Sequence, residues 1–95
     1  MLRSYNWFAQ NIHGSQFQSG LPDIFAAHAD YGSRWIEVKR PVGFHFTKAQ
    51  REKFPALASK NIGIWILTDS TEAEYRRLFS PPNWWTFMLD KDFRS

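Results

Sequence analysis

The N-terminal residues carry apolar side chains every three or four positions, which is the spacing of one helix face. These positions are Leu2, Tyr5, Phe8, Ala9 and Ile12. The pattern predicts a helix over residues 2–12. Gly14 follows it, and glycine commonly terminates helices.

The next segments have the patterns of short β-strands and turns. Residues 16–18 alternate polar and apolar side chains and predict a short edge strand, and residues 19–22 predict a turn. Residues 23–28 form a β-prone run. Residues 30–32 carry a hairpin signal that leads into a clear strand at residues 35–39.

The strand at residues 35–39 contains a charged pair. Alternation places Trp35, Glu37 and Lys39 on one face of the strand. A carboxylate in the middle of a strand requires an explanation, because an unpaired buried charge is very costly. Pro41 ends the strand.

Two capping boxes open helices in the second half of the chain. Thr47 and Gln50 begin the first helix, and Pro55 lies well inside it, which predicts a kink or a split. Thr71 and Glu74 begin a second, short helix that extends to about Phe79, before two prolines.

The order of these elements predicts the fold class. Residues 61–68 are apolar on both faces, as in a buried central strand, and the stretch before them is long enough for a parallel crossover. Residues 84–89 fit either a strand or a docked helix. We expect an α/β fold in which helices flank a small mixed sheet, with one parallel strand added to an antiparallel half. The 95 residues (1–95) form a single domain.

Composition excludes several classes of protein. Aromatic residues make up 18% of the chain, which indicates a dense core rather than disorder. The chain has no Cys, which excludes disulfides and thiolate zinc sites, and its three His show no metal-ligand spacing. The longest apolar run is far too short to span a membrane, and the first residues lack a secretory signal. We therefore expect a cytoplasmic protein.

The charge distribution points weakly to a polyanionic partner. The net charge is +3, and no acid precedes Asp23. Residues 34–60 contain seven Lys or Arg and only two acids. Within this segment Lys48, Arg51 and Lys53 form either a solvated helix side or a set of phosphate contacts.

Asp23, Glu37 and Lys39 suggest a site for phosphate chemistry. Asp23 starts one predicted strand and Glu37 lies in its hairpin partner, so pairing brings two carboxylates together. With the Val38 carbonyl they offer the oxygen ligands that Mg²⁺ prefers. Such a cation withdraws charge from a phosphate and lowers the pKa of a bound water, beside which Lys39 would lie.

Taken singly, each of these residues also has a structural interpretation. Asp23 follows a proline in a turn that Asp often caps, and Glu37 with Lys39 suits a paired surface face. Gln50 is fully explained as the N3 member of its capping box. Their order and spacing together favour the functional interpretation.

In this order the residues resemble the signature of PD-(D/E)XK nucleases: Pro22-Asp23, then thirteen residues, then Glu37-Val38-Lys39. The wider set of motifs resembles the VRR-NUC domain, the virus-type replication-repair nuclease domain, over about residues 14–70. The matching motifs are Ser19-Gly20-Leu21-Pro22-Asp23-Ile24, Ile36-Glu37-Val38-Lys39-Arg40-Pro41 and Gln50.

The resemblance implies a restriction-endonuclease-like core and a metal-dependent DNA endonuclease, of the stand-alone type typical of bacteriophages. In that family the enzyme often acts as a homodimer on four-way (Holliday) junctions. By residue, it makes Asp23 and Glu37 metal ligands, with Val38 adding its carbonyl. Lys39 becomes the catalytic lysine and Gln50 the motif glutamine behind the site. The expected cofactor is Mg²⁺, with Mn²⁺ substituting.

One departure from the family concerns the metal. The family often has a glutamate on the first helix, whereas this chain has no acid before Asp23. An amide oxygen of Asn6, Gln10 or Asn11 would have to replace it. We therefore expect one tightly held cation rather than two.

The expected partners are branched DNA and a second copy of the chain. Arg40, Lys48, Arg51 and Lys53 are the expected DNA-binding residues. The chain has no base-reading motif, which favours recognition of DNA shape or backbone. Apolar residues near both ends exceed what a small core needs and suggest a two-fold interface. They are Leu2, Trp7, Phe8, Trp84, Trp85, Phe87 and Met88.

Three functions fit these observations. The first is a Mg²⁺-dependent DNA endonuclease, either selective for junctions or a general nicking and DNA-degrading nuclease. The second is a catalytically silent DNA-binding module. The third is a structural protein of phage type, in which the acidic side chains only form hydrogen bonds within a turn. The intact set of Asp23, Glu37 and Lys39 favours the first, because a pure binder gains nothing from carboxylates that face phosphates.

Overall fold

The computed structural model describes residues 2–12 and 20–88. In chain order these residues form a 3₁₀ turn (Leu2–Tyr5), β1 (Phe8–Asn11), β2 (Ile24–His28), β3 (Gly32–Val38), α1 (Lys48–Ala58), β4 (Ile64–Leu67), α2 (Glu72–Arg76), a second 3₁₀ turn (Arg77–Phe79) and α3 (Trp84–Met88). The predicted strand at 16–18 and the predicted helix end at Gly14 lie outside the described residues.

The four strands form one mixed sheet in the order β1-β2-β3-β4. β1 pairs with β2 and β2 pairs with β3 in antiparallel fashion, whereas β3 and β4 run parallel. The predicted α/β fold, with its hairpin and its single parallel strand, is confirmed at this level.

Each face of the sheet carries its own apolar cluster. On the face that bears Glu37, α1, the loop before it and α3 cover the sheet, with Phe46, Phe54 and Met88 in the core. On the face that bears Ile36, the N-terminal segment, α2 and the second 3₁₀ turn supply Trp7, Tyr75 and Leu78. We call these the Glu37 face and the Ile36 face.

The predicted helix over residues 2–12 is wrong. The segment divides into the 3₁₀ turn and β1, with Asn6 between them at a positive φ of 70°. Trp7 is buried in the core and donates from Nε1 to the Tyr75 hydroxyl at 3.1 Å. Pairing of the following residues with β2 and the burial of this indole outweigh the helical spacing, which is ambiguous over so few positions.

β4 is buried as predicted, but it lies at an edge of the described sheet and not at its centre. Elements on both faces bury its four side chains. Its free edge is covered by Asn83, whose Oδ1 accepts from the Ile66 N–H at 2.6 Å and whose Nδ2 donates to the Ile66 carbonyl at 3.2 Å. A side-chain amide thus satisfies the backbone of one residue at the edge, while burial on both faces explains the apolar sequence of this edge strand.

The helices agree with most of their predictions. The capping box of Thr47 and Gln50 is present, and α1 runs without a split through Pro55, which is exposed. Thr71 caps α2, but the Glu74 carboxylate accepts from Thr68 and Arg77, so this box is only half formed. Trp84–Met88 is a docked helix. None of the helices within 2–12 and 20–88 has the length and apolar character needed to cross a membrane.

Candidate active site

The hairpin register places Asp23 and Glu37 side by side. Ile24 pairs with Ile36, so the preceding and following residues, Asp23 and Glu37, are opposite each other on one face. The Val38 N–H donates to Asp23 Oδ2 at 2.9 Å, which fixes the carboxylate at the end of β3. In an extended chain the carbonyl of a residue points to the same side as its N–H, so the Val38 carbonyl faces the strand of Asp23.

Glu37 is 3% exposed and its two oxygens differ. Oε2 accepts from Lys39 Nζ at 3.0 Å and from Gln50 Nε2 at 2.7 Å. Oε1 is buried and has no hydrogen-bond partner among the residues that the structure describes. A buried oxygen without a partner costs about 1–3 kcal/mol, and more when it is charged, so this atom requires an explanation.

The electrostatic surroundings of Glu37 oppose its ionisation. Burial raises the pKa of the Glu37 carboxyl, and the nearby negative charge of Asp23 raises it further. The ammonium of Lys39 and the hydrogen bonds from Lys39 and Gln50 act in the other direction without cancelling the effect. A cation at the site would favour the ionised carboxylate.

Lys39 is held by three acceptors. Its Nζ lies 3.0 Å from Glu37 Oε2, 3.0 Å from Gln50 Oε1 and 2.9 Å from the His45 carbonyl. The ammonium also lies 4.7 Å from the centre of the Phe46 ring. A Lys ammonium has three N–H donors, so the network satisfies all of them.

Gln50 serves both the helix cap and the site. Its backbone N–H donates to the Thr47 hydroxyl at 3.1 Å, and its Oε1 accepts from the Thr47 N–H at 3.0 Å. The same Oε1 accepts from Lys39, while Nε2 donates to Glu37. The two interpretations of Gln50 from sequence are therefore compatible, and the capping box fixes the amide that orients Glu37.

Gly20 brings the Asp23 turn close to α1. Its φ is 84°, a left-handed conformation that favours glycine. A Cβ at this position would lie 2.8 Å from the carbonyl carbon and oxygen of Ala49. The glycine before Pro22-Asp23 is thus required by a close approach of two backbones.

The donor set fits a hard divalent cation. The unpartnered Glu37 Oε1, the carboxylate of Asp23 and the Val38 carbonyl are all oxygen donors, as Mg²⁺ prefers. No group of three or more His, Cys, Asp or Glu side chains that could hold a metal occurs within the described ranges. The set therefore suits one cation that keeps several waters.

The three proposed amide substitutes for the missing acid lie in different environments. Asn6 is in the turn before β1, and Asn11 is on the Ile36 face, away from Glu37. Gln10 is on the Glu37 face, but it pairs with Phe25 and its Nε2 donates to the Asn11 carbonyl. Of the three, only Gln10 shares a face with the carboxylates.

The predicted DNA-binding cations are not on one face. Successive residues are about 100° apart around a helix, so Arg51 and Lys53 lie on opposite sides of α1. Lys48 is exposed in the first turn, which contains no acid. Arg40 is exposed just after β3. Lys53 lies on the side of Ala49 and therefore on the side of the Gly20–Asp23 turn.

The apolar residues proposed for a dimer interface are mostly internal. Trp7 and Met88 are in the two core clusters, and Leu2, Trp84 and Phe87 pack against those clusters. Phe8 and Trp85 remain, at 59% and 54% exposure. The apolar argument for a dimer thus depends on two side chains.

Sequence reasoning missed the two groups from the loop before α1 that hold Lys39. The positions of the His45 carbonyl and the Phe46 ring depend on the path of this loop, and no sequence motif predicts them.

Comparisons with family models, with curated proteins and with solved structures found no match to this chain. Its function must therefore be argued from its residues and their geometry.

Proposed function

We propose that this protein is a Mg²⁺-dependent DNA endonuclease with a restriction-endonuclease-like PD-(D/E)XK core, of the VRR-NUC type that its motifs resemble. The observation that carries the proposal is Glu37 Oε1, a buried carboxylate oxygen without a hydrogen-bond partner in the described chain, on the same face as Asp23. A purely structural carboxylate would be expected to have both oxygens bonded.

Asp23, Glu37 and the Val38 carbonyl would hold the cation. When bound, Mg²⁺ withdraws charge from the scissile phosphate and lowers the pKa of a water molecule. The chain itself orients the ligands, since the Val38 N–H fixes Asp23 and the Gln50 amide fixes Glu37. Mn²⁺, which accepts the same oxygen ligands, should substitute.

Lys39 supplies the positive charge beside the carboxylates. The His45 carbonyl and the Phe46 ring support its ammonium from the side of the loop. To contact a phosphate, the ammonium exchanges one of its three acceptors for a phosphate oxygen. Its charge then stabilises the negative charge that develops there.

The surroundings of the site suit a DNA backbone. The first turn of α1 has a cation, Lys48, at the positive end of the helix dipole, an arrangement that is unfavourable for the helix but attractive to phosphate. Arg40 is exposed just after β3, two residues beyond Val38. We propose backbone and shape recognition of branched DNA, such as four-way junctions, by a homodimer.

A second candidate is a catalytically silent DNA-binding module. The complete hydrogen bonding of Lys39 favours it, because a satisfied Glu37–Lys39–Gln50 network also stabilises the loop before α1. This candidate leaves the unpartnered Oε1 of Glu37 unexplained, which is why we rank it second.

A plasmid-nicking assay separates these functions. We expect the parental protein to convert supercoiled plasmid to the nicked form with Mg²⁺ or Mn²⁺ and not with EDTA. Glu37→Gln should abolish nicking because it removes a ligand charge but little volume, and Lys39→Ala should lose most of the rate while DNA still binds. Glu52→Gln, on the exposed side of α1, is the matched control. DNA binding without metal-dependent nicking would instead support the silent module, and parental rates in either site variant would refute the site.

A further inference from the structure

A groove of about 610 Å³ lies on the Ile36 face, opposite the carboxylates. Its floor is apolar and crosses all four strands. The floor residues are Leu2, Ala9, Ile24, Ile36, Val38 and Leu67. The volume is within the range of about 300–1,000 Å³ that is typical of small-ligand sites.

The rim of the groove is polar and partly cationic. Arg3 and Arg40 lie on it, together with Asp69 and Ser70 from the loop after β4. Arg40 is exposed and forms no ion pair with any residue of the described chain. An apolar floor with arginines on the rim is complementary to a flat heteroaromatic ring that carries a phosphate. The Asp69 carboxylate adds an acceptor for ring N–H groups.

The groove meets the candidate active site at the end of β3. Val38 belongs to both, because its N–H binds Asp23 while its side chain, 50% exposed, lines the groove. Arg40 follows two residues later, on the rim. A DNA strand held at the carboxylates could therefore turn over this strand end into the groove.

We propose that the groove binds an unpaired nucleobase of the DNA strand that the carboxylate site acts on. This inference rests on the proposed function and adds to it a preference for an unpaired nucleotide beside the reacting phosphate. A base within a duplex is stacked on both sides and enters such a groove only after it is flipped out, whereas an unpaired base enters without that cost.

The first test uses methyl NMR of the parental protein without metal. Thymidine 5′-monophosphate should shift the methyl resonances of Ile24 and Leu67 on the groove floor. Inorganic phosphate should not shift them. Ile64 and Ile66, which are buried on the Glu37 face, provide the internal control. Absence of a shift at the floor residues, or equal shifts on both faces, overturns the proposal.

The second test measures binding in EDTA, so that cleavage plays no part. A hairpin duplex carries one unpaired thymidine or an abasic residue at the same place. The parental protein should prefer the thymidine by at least about fivefold, the effect of one stacked base. Ala9→Phe fills the groove and should remove this preference, while Ala73→Phe, an exposed α2 position, should retain it.

Equal parental affinity for the two hairpins refutes the proposal, as does an Ala9→Phe variant that keeps the preference. Both tests are read without metal and without turnover. A protein that binds the unpaired base but cuts no DNA would therefore refute the proposed nuclease while supporting the groove. A nuclease with no preference for the unpaired base would support the proposed nuclease and refute the role of the groove.

Discussion

At the scale of single residues, the site depends on one amide. Gln50 accepts from Thr47 and Lys39 through Oε1 and donates to Glu37 through Nε2. This fixes which Glu37 oxygen is occupied and leaves Oε1 for another ligand. The sequence could predict that Glu37 and Lys39 share a face, because strand alternation requires it. It could not predict which oxygen stays unpartnered, because that depends on where α1 begins relative to β3.

The raised pKa of Glu37 predicts how stability changes with pH. A group with a higher pKa in the folded chain than in the unfolded chain contributes stability below the unfolded pKa. That contribution is lost as the pH rises through the folded pKa. Without metal, the free energy of unfolding of the parental protein should fall, relative to Glu37→Gln, as the pH rises from the unfolded-state pKa of Glu37 to its folded-state pKa. Each tenfold difference in proton affinity between the folded and the unfolded chain corresponds to about 1.4 kcal/mol of unfolding free energy.

Urea denaturation at a series of pH values measures this difference, with Glu52→Gln as the control for loss of an exposed carboxylate. Added Mg²⁺ should restore stability to the parental protein at neutral pH and not to Glu37→Gln. A free-energy difference between the parental protein and the Glu37→Gln variant that stays constant with pH would contradict the assignment of a raised pKa.

The number of carboxylates predicts the number of cations. The described site offers Asp23 and Glu37, and the described chain holds no cluster of three metal-binding side chains. Crystals soaked in Mn²⁺ should show one strong anomalous peak per chain, and Asp23→Asn should remove it. Two fully occupied peaks in the absence of DNA would show that a further group completes a second site.

At the scale of secondary-structure elements, β4 depends on Asn83. This amide satisfies both backbone groups of Ile66 at the sheet edge. Asn83→Ala should lower the free energy of unfolding by about 1–3 kcal/mol, because it leaves a partly buried N–H and carbonyl unpaired. Thr86→Ala, on the exposed side of α3, is the matched control. Equal urea midpoints for the two variants would show that water replaces the amide.

The elements that the sequence predicted correctly are those with local signals. Thr47 and Gln50 define the start of α1, and residues 30–32 define the hairpin. The N-terminal segment was mispredicted because its conformation is set at a distance, by the burial of Trp7 and the pairing of β1 with β2. The edge position of β4 was not predicted either, because the residue that covers its edge, Asn83, lies far along the chain from the strand.

The geometry of α1 ranks its cations as DNA contacts. Lys53 lies on the side of the Gly20–Asp23 turn and within about 60° of Gln50, whereas Arg51 lies on the other side and Lys48 points away from Gln50. Lys53→Glu should weaken DNA binding most, for all sequences alike, and flatten the salt dependence by at least about one counterion. Lys48→Glu and Arg51→Glu should have smaller effects. Fluorescence anisotropy across a salt series tests this ranking, which a dominant Lys48 or Arg51 effect would contradict.

Across the fold as a whole, the many aromatic side chains fill two thin apolar cores. A single sheet layer with helices on both faces requires two apolar clusters from one short chain. The sequence showed an excess of large apolar side chains and suggested an interface. The structure uses Trp7 and Met88 internally, which no periodicity in their segments could indicate. Of the residues proposed for an interface, Phe8 and Trp85 remain exposed.

The proposed junction activity requires a dimer. Resolution of a four-way junction requires two symmetric cuts, and a two-fold homodimer provides two sites in a fixed relation. Light scattering at micromolar concentration should give twice the 11.2 kDa chain mass. Phe8→Ser or Trp85→Ser should shift the protein towards monomer, whereas Val42→Ser, exposed in the loop before α1, should not. The parental dimer should cut a four-way junction faster than a linear duplex of the same sequence. A monomeric parental protein would refute the dimer, while equal cutting rates would remove only the junction preference, because Asp23 and Glu37 lie within one chain.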